Sequence, residues 1–373
     1  MTVPLKVADV LAMLEAMAPR DLAEPWDHVG LQVGWADHAV ERVLVVLEMT
    51  DALAGRIDLG PSALVVSHHP LLFRPLEAVR CDRPTGRHVA HLVRAGASLV
   101  ACHTNWDKAP GGTDDALAEA IGLVAPRPLV AAQRPLYRLS VLVPEESLDD
   151  VREALASAGA GEGERYRRAS FSVHGESTFE AKAGARPAYG AVGTFSVRPE
   201  QRLEMVVSGD RLAAAIRALV NVHPYEEPAY GVDRLSGGLP FGGLGRVGDW
   251  PQPTDIGGLA QAVRAALGAP GARLCGRLDR PVRRVASVGG AGRSLLAQAV
   301  EAGADALVTA DIGHHDARLA EELGIGVVDV GHRESEEPGV RALAQRLGRC
   351  LREAKSDARV EFVGVEPAFI WRT

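Results

Sequence analysis

"ALVVSHHP", residues 63–70, is the stretch from which the rest of the chain can be read. Its four apolar residues follow the turn-forming Gly60, Pro61 and Ser62 and run almost directly into a pair of imidazoles. A short apolar run bounded by turn residues is the pattern of a strand buried on both faces, as in a parallel sheet. Three further stretches repeat it: "SLVACHTNWD" at 98–107, "ALVTADIGHH" at 306–315 and "IGVVDVGHRESEE" at 325–337. Between the first two lies "HVAHLVRAG" (88–96), with apolar residues at helical spacing. Strands alternating with helices predict a βαβ organisation and a mostly parallel sheet. In open sheets of that kind, ligands bind in the crevice outside the carboxyl ends of the strands. There the four runs deliver His68 and His69, His103 and Asp107, His314 and His315, and His332 and Glu336.

Residues 7–17 have helical periodicity, and a β-branched run lies within 40–50. The pattern breaks at 126–134, where "APRPLVAAQRP" begins, and a different unit follows. In it, "YRLSVLVP" (137–144) reads as a strand and "EESLDDVREALASAG" (145–159) as an amphipathic helix. Residues 169–180 and 201–208 read as strands, and 210–222 as a second helix. That β-α-β-β-α-β order is the ferredoxin-like arrangement. The glycine-rich "SGGLPFGGLGRVG" (236–248) then returns the chain to its first style. The expected fold class is therefore α/β: two similar α/β lobes forming one body, at 1–130 and 239–373, interrupted by an α+β insert at 131–238. An echo between residues 59–70 and 302–315, each running from a small-residue turn through an apolar strand into a His pair, hints at related halves.

The chain has 373 residues, 47% of them hydrophobic and 24% charged, which predicts a folded protein with a substantial core. A net charge of −7 argues against nucleic-acid binding by phosphate neutralisation. The four cysteines, Cys81, Cys102, Cys275 and Cys350, form no C-x-x-C pair, so neither a zinc ribbon nor a thioredoxin-type motif is expected. No stretch approaches the roughly 20 apolar residues that span a bilayer. The N-terminal residues lack a secretory pattern, and the cytoplasm is the expected location.

Mixed imidazole and carboxylate ligands suit Zn, Mn, Fe, Co or Ni and select none of them. A catalytic zinc ordinarily takes three protein ligands, so five or six such groups are better used by two divalent ions sharing a carboxylate. A helix starting near Ser335 would put Glu336 in its first turn, so that His332 reaches the centre from a strand end and Glu336 from a helix start. Each residue also has a plainer reading. "HHP" alone is a turn, His103 a neighbouring donor, Asp107 a turn or helix cap, and Glu336 an acid favouring a helix N-terminus. "GGAGRS" (289–294) lies where backbone amides can hold an anion, but it lacks a P-loop ending and reads better as a tight turn. "HPYEEP" (223–228) reads as a loop or as a surface or trimer contact.

At these segments the chain resembles the dinuclear-metal family named for GTP cyclohydrolase 1 type 2, also called the NGG-interacting-factor-three family. The matching stretches are "PWDHVGLQVG" (25–34), "VSHHPLLF" (66–73), "HTNWD" (103–107), "GRVG" (245–248), "VTADIGHHD" (308–316) and "VDVGHRESE" (328–336). The segment ending in "NVHPYEEPAYGVDRL" (221–235) is similar to the PII/CutA-like domain inside longer bacterial members. The resemblance implies a toroidal hexamer with metal sites facing an internal cavity. It also implies two divalent ions per protomer, held by His68, His69, Asp107, His332 and Glu336. Glu336 would be the bridge, and His103 would lie beside the metals. His28, Glu48 and Arg333 depart from the family's usual residues at their positions. The expected activity is hydrolysis of a nucleotide or related heterocycle, at C8 if the substrate is GTP, with His314 or His315 assisting proton transfer. The other reading is a non-catalytic metal-handling or regulatory protein whose insert binds a small effector. A closed structural site is the least favoured, since such sites are thiolate-rich.

Overall fold

The computed structural model describes residues 4–163, 165–366 and 368. The chain forms two compact units, one from Met1–Ala132 with Phe241–Thr373 and the other from Gln133–Pro240.

The first unit opens with α1 (Val7–Met17), β1 (Gly30–Val33), β2 (Arg42–Val46), α2 (Asp51–Ala54) and β3 (Ala63–Ser67). It continues through α3 (Pro84–Ala95), β4 (Ser98–Ala101), α4 (Thr104–Lys108), α5 (Thr113–Ala120) and the start of β5 (Val124–Val143). Every residue of β3 is buried, as is every residue of β4. The parallel registers Leu44↔Val65 and Val66↔Val100 explain why: strands with neighbours on both sides and cover on both faces need no polar alternation. Each Val or Leu so buried stabilises the fold by about 1.5–3 kcal/mol. Proline opens α3, and Gly96, at φ 70°, closes it in the left-handed conformation that suits glycine there.

The second unit takes in most of β5, α6 (Leu148–Ser157), β6 (Phe171–Glu180), β7 (Phe195–Ser208), α7 (Gly209–Val222) and the start of β8 (Tyr230–Thr254). Its strands lie in the order β6-β7-β5-β8, with β7 antiparallel to both β6 and β5. Leu139, Val141, Leu203 and Met205 on the sheet bury against Val151 and Leu155 of α6 and Ala215 and Leu219 of α7.

The chain returns to the first unit along β8. There follow α8 (Ile256–Leu267), β9 (Arg273–Gly276), β10 (Val282–Ser287), α9 (Leu296–Glu301), β11 (Ala306–Thr309), α10 (His314–Leu323) and β12 (Gly326–Asp329). The last elements are α11 (His332–Glu353) and β13 (Arg359–Phe362). The first sheet runs β1-β4-β3-β2-β13, with β1 alone antiparallel to its neighbour. In the second, β10, β11 and β12 are parallel, with β8 antiparallel on one side and β9 on the other. The class is thus mixed α/β on two sheets. Among the described residues no helix is long and apolar enough to cross a membrane.

The units change over at Ala132/Gln133 and Pro240/Phe241, within the stretches 126–134 and 236–248, and both stretches are extended backbone, in the 20-residue strand β5 and the 25-residue strand β8. Proline's fixed φ is compatible with extended backbone, and long ladder pairing overrides the weak strand propensity of glycine. Helix α11 starts at His332, not near Ser335. Gly331, at φ 96°, turns the chain straight from β12 into the helix, and Ser335 N–H already donates to Gly331 O.

Candidate metal centre

His68 and His69 leave the end of β3, and His103 and Asp107 follow β4, one just before α4 and the other within it. His332 and Glu336 sit four residues apart on α11, so their side chains share one helix face. The first unit brings these six residues together. Nε2 of His68, Asp107 Oδ1 and Glu336 Oε1 converge, at 3.5 and 3.7 Å from the imidazole nitrogen. Glu336 Oε2 lies 2.9 Å from His69 Nε2 and 3.1 Å from His332 Nε2, which are 3.3 Å apart. Two triads emerge whose donor atoms lie within 4.8 Å of one another: His68, His69 and His103, and His69, His332 and Glu336. The buried Glu336 carboxylate and His69 connect them.

The far nitrogen of each imidazole is held in turn. His68 Nδ1–H donates to the Cys102 carbonyl at 3.0 Å, which fixes the tautomer and leaves Nε2 with a lone pair facing the centre. His103 Nδ1 meets Asp27 at 2.9 Å, and Asp27 is itself held by the backbone N–H and hydroxyl of Thr104. His332 Nδ1 meets Asp311 at 2.6 Å, and His69 Nδ1 lies 3.5 Å from Glu48. Imidazoles backed by a carboxylate or carbonyl are the usual arrangement around a protein-bound metal, because the backing orients the ring and raises its basicity. Asp27, Glu48, Asp311 and the Cys102 carbonyl were not identified from sequence, although Asp27 and Asp311 lie inside the quoted motifs. Asp311 carries the one additional signal, a left-handed φ of 58° at the point where the chain leaves β11.

Two buried atoms in the centre have no hydrogen-bond partner among the described residues: His68 Nε2 and Asp107 Oδ1. A lone pair facing a carboxylate oxygen across 3.5 Å with no donor between is costly in a buried setting, and a cation between them would satisfy both. The donor set therefore fits a divalent metal. Burial pushes the Asp107 carboxyl up, and the nearby Glu336 charge adds to the effect. Burial would also raise Glu336, but His69, His332 and His68 outweigh it and hold its carboxyl well below the usual range. For His69, burial opposes the charged form, yet Glu336 and Glu48 lift it to about 10; Glu336 and Asp311 lift His332 to about 9 in the same way. Imidazoles with raised proton affinity would have to give up a proton to ligate a metal, so metal binding would release protons.

Beside the centre is a cleft of about 740 Å³. Trp26 and Phe73 stand at it with ring centroids 5.8 Å apart, both substantially exposed, and Trp26 lies edge-on 6.2 Å from His103. The 289–294 turn borders it too. Its three glycine amides are engaged by neighbouring side chains: Gly289 N–H donates to Asp114, Gly290 N–H to Ser335 Oγ and Gly292 N–H to Thr309 Oγ1. This favours the turn reading over an anion site. His314 and His315 open α10, exposed, and neither is among the residues lining the cleft.

The model of the Duf34/NIF3 (NGG1p interacting factor 3) family matches residues 5–368. The chain belongs to this family. Among similar proteins, one from Mycobacterium tuberculosis is 40% identical over 349 residues, covering 92% of this chain and 91% of its own. One from Halalkalibacterium halodurans is 34% identical over 361 residues, covering 95% and 96%. Both carry the name GTP cyclohydrolase 1 type 2 homolog. A crystal structure of a Bacillus cereus protein related to NIF3 superposes with a TM-score of 0.81 at 31% identity, covering all of both chains. A Staphylococcus aureus protein shares the fold at a TM-score of 0.71 and 24% identity, covering 99% of each chain.

Proposed function

We propose that this NIF3-family protein binds two divalent cations and hydrolyses a nucleotide or related heterocycle. The observation that carries the reading is the pair of buried, unpartnered donors, His68 Nε2 and Asp107 Oδ1, set among imidazoles whose far nitrogens are already held. His68, His69, Asp107, His332 and Glu336 are the proposed ligands, Glu336 the group shared between the two ions, and His103 an additional donor beside them. When bound, the cations would acidify water and polarise the electrophilic centre. The chain's own residues do the rest. Trp26 and Phe73 offer ring faces to a planar substrate, and the carboxylate-backed imidazoles keep their orientation as charge develops. His314 and His315 are proposed as proton carriers only for a substrate reaching beyond the cleft, and alanine at both is expected to leave metal content unchanged.

The name carried by the relatives supports GTP as the first substrate to try. We further propose that the outer segments are two related lobes, that residues 131–238 are a ferredoxin-like insert of the PII/CutA type, and that the working form is a cytoplasmic homohexamer. Elemental analysis of wild type and Glu336→Gln, purified identically and supplied with Mn, Fe, Co, Ni and Zn, tests the centre. About two ions per chain in wild type and a clear loss in the variant are expected. Less than about half an ion in wild type sinks the reading. GTP turnover by the loaded protein, abolished in Glu336→Gln, would establish the enzyme; loaded protein that turns over neither GTP nor other purine nucleotides would leave a metal-handling protein.

A further inference from the structure

The second unit has a cavity of its own, of about 530 Å³, made by residues from β6, β7 and the loops that follow β6 and α7. Its aromatic walls are Tyr189, Tyr225 and Phe179. The two tyrosine rings are 6.0 Å apart between centroids and inclined at 75°. Each is tied back at its polar end. Tyr189 O–H donates to Glu146 at 2.7 Å, and the Arg198 guanidinium, itself paired with Glu146, lies 3.2 Å over one face of the ring. Tyr225 O–H donates to Glu200 Oε1, its backbone N–H donates to His223 Nδ1, and its ring stands edge-on to the His223 imidazole. His223 is fixed by the Leu142 carbonyl. The walls are therefore pre-set and would lose little freedom on binding a ligand.

Glu200 is the unusual member. It is 3% exposed and lines the cavity, yet among the described residues no lysine, arginine or histidine nitrogen pairs with it within 4 Å. Among the described residues its one side-chain hydrogen-bond donor is the Tyr225 hydroxyl, on Oε1. Buried carboxylates are ordinarily paired or used in binding, because desolvation of an unpaired charge is costly. Tyr225 donates a hydrogen bond to Glu200, and its hydroxyl oxygen keeps lone pairs for a further donor. The cavity thus presents acceptors at one end and aromatic faces beside them.

We propose that this cavity is a ligand site for a planar guanidine-type N–H edge, which can donate two parallel hydrogen bonds to Glu200 while lying against Tyr189 or Tyr225. Two small molecules carry that chemistry: a guanine base, through N1–H and its exocyclic amine, and free arginine, through its guanidinium. A spherical quaternary ammonium has the charge but no N–H and should not satisfy Glu200. Nothing in this inference depends on the metal centre.

Calorimetric titration of the full chain, stripped of metal with chelator, tests it with guanosine, arginine, adenosine and tetramethylammonium as separate probes. Saturable binding of guanosine or arginine is expected, with whichever binds identifying the source of the edge. Binding should weaken at least tenfold in Glu200→Gln and in Tyr189→Leu, and stay unchanged in Glu336→Gln. The thermal unfolding midpoint of each variant shows whether it is folded, and Tyr189→Leu, at a partly exposed position, keeps the test alive if Glu200→Gln is not. Four results would overturn the inference: no saturable binding of either N–H probe up to millimolar concentration, equal binding of adenosine, preference for tetramethylammonium, or guanosine binding that survives in a folded variant. Loss in Glu336→Gln alone would move the site to the cleft and overturn it as well.

Discussion

Gly290→Ala is the sharpest probe of the metal centre, because it changes no proposed ligand. Gly290 has φ +61°, and a Cβ there would overlap Glu336 Oε1 while lying 3.1 Å from Glu336 Cδ and 3.2 Å from His332 Nε2. The backbone cost of an L-residue in the left-handed region is about 1–2 kcal/mol. At roughly 2–4 °C per kcal/mol for a unit of this size, the metal-free protein should lose about 2–8 °C of unfolding temperature. The overlap adds a second effect. Glu336 is held by three imidazoles, so relieving the clash by roughly 1 Å displaces the carboxylate from all of them; displacements of that size at a functional site cost about 100-fold. Gly268→Ala separates the two contributions. Gly268 caps α8 at φ +63° with nothing within 4 Å of the added methyl, so it should show the thermal loss alone. The assay is competition for Zn or Mn against a chelator of known affinity, beside thermal unfolding of the metal-free variants. If Gly290→Ala binds metal within twofold of wild type and of Gly268→Ala, Glu336 is not the shared ligand and the reasoning fails.

Asp27→Asn and Asp311→Asn should each weaken metal binding by about 10–100-fold while leaving the ligand set intact; affinity within twofold of wild type would deny these carboxylates their orienting role. The fully buried Trp106 donates its indole N–H to Gly339 O at 3.0 Å, so Trp106→Phe should lower unfolding free energy in urea by about 1–3 kcal/mol, whereas an unchanged midpoint would mean that water replaces the lost donor. For Asp115, burial works to raise its carboxyl but the buried Arg246 guanidinium prevails and lowers it. With the folded value depressed, its contribution to stability is complete above about pH 4 and fades as pH falls through the lower folded value. Acid titration of unfolding should therefore show a shallower decline below pH 4 in Asp115→Asn than in wild type; parallel curves would refute the linkage.

The strand-end histidines were legible because a buried parallel strand announces itself as an unbroken apolar run, and whatever follows it must emerge at one edge of the sheet. The geometry of His332 and Glu336 was less so. Their start-of-helix spacing depends on the left-handed Gly331, and nothing adjacent distinguishes a glycine that opens a helix from one that ends a strand. The acids behind the imidazoles left still weaker traces, since Asp27 is 76 residues from His103 and Asp311 is 21 from His332. The same holds for Asp114, whose carboxylate accepts from both Gly245 and Gly289 N–H. Such partners are chosen by the folded surroundings, and a lone aspartate near a turn looks the same whether it caps a loop or anchors a ring. The first part of β5, before Tyr137, and β8 left no strand signal for the opposite reason: their prolines and glycines speak for turns, and only their long pairing partners make them extended.

The pairing of β13 with β2 sets an order on synthesis. Residues 42–46 leave the ribosome early, yet their neighbour on one side, residues 359–362, is made roughly 300 residues later, about 15–60 s at ordinary elongation rates. Throughout that interval β2 keeps a bare edge of unpaired amides and carbonyls along a strand that is apolar from Val43 to Val46, the kind of edge that recruits other chains. The 108 residues between Gln133 and Pro240 form a contiguous unit and can fold while that edge waits. The nascent chain is therefore vulnerable to aggregation until β13 is made, and a stall just short of Arg359 would leave its first sheet open.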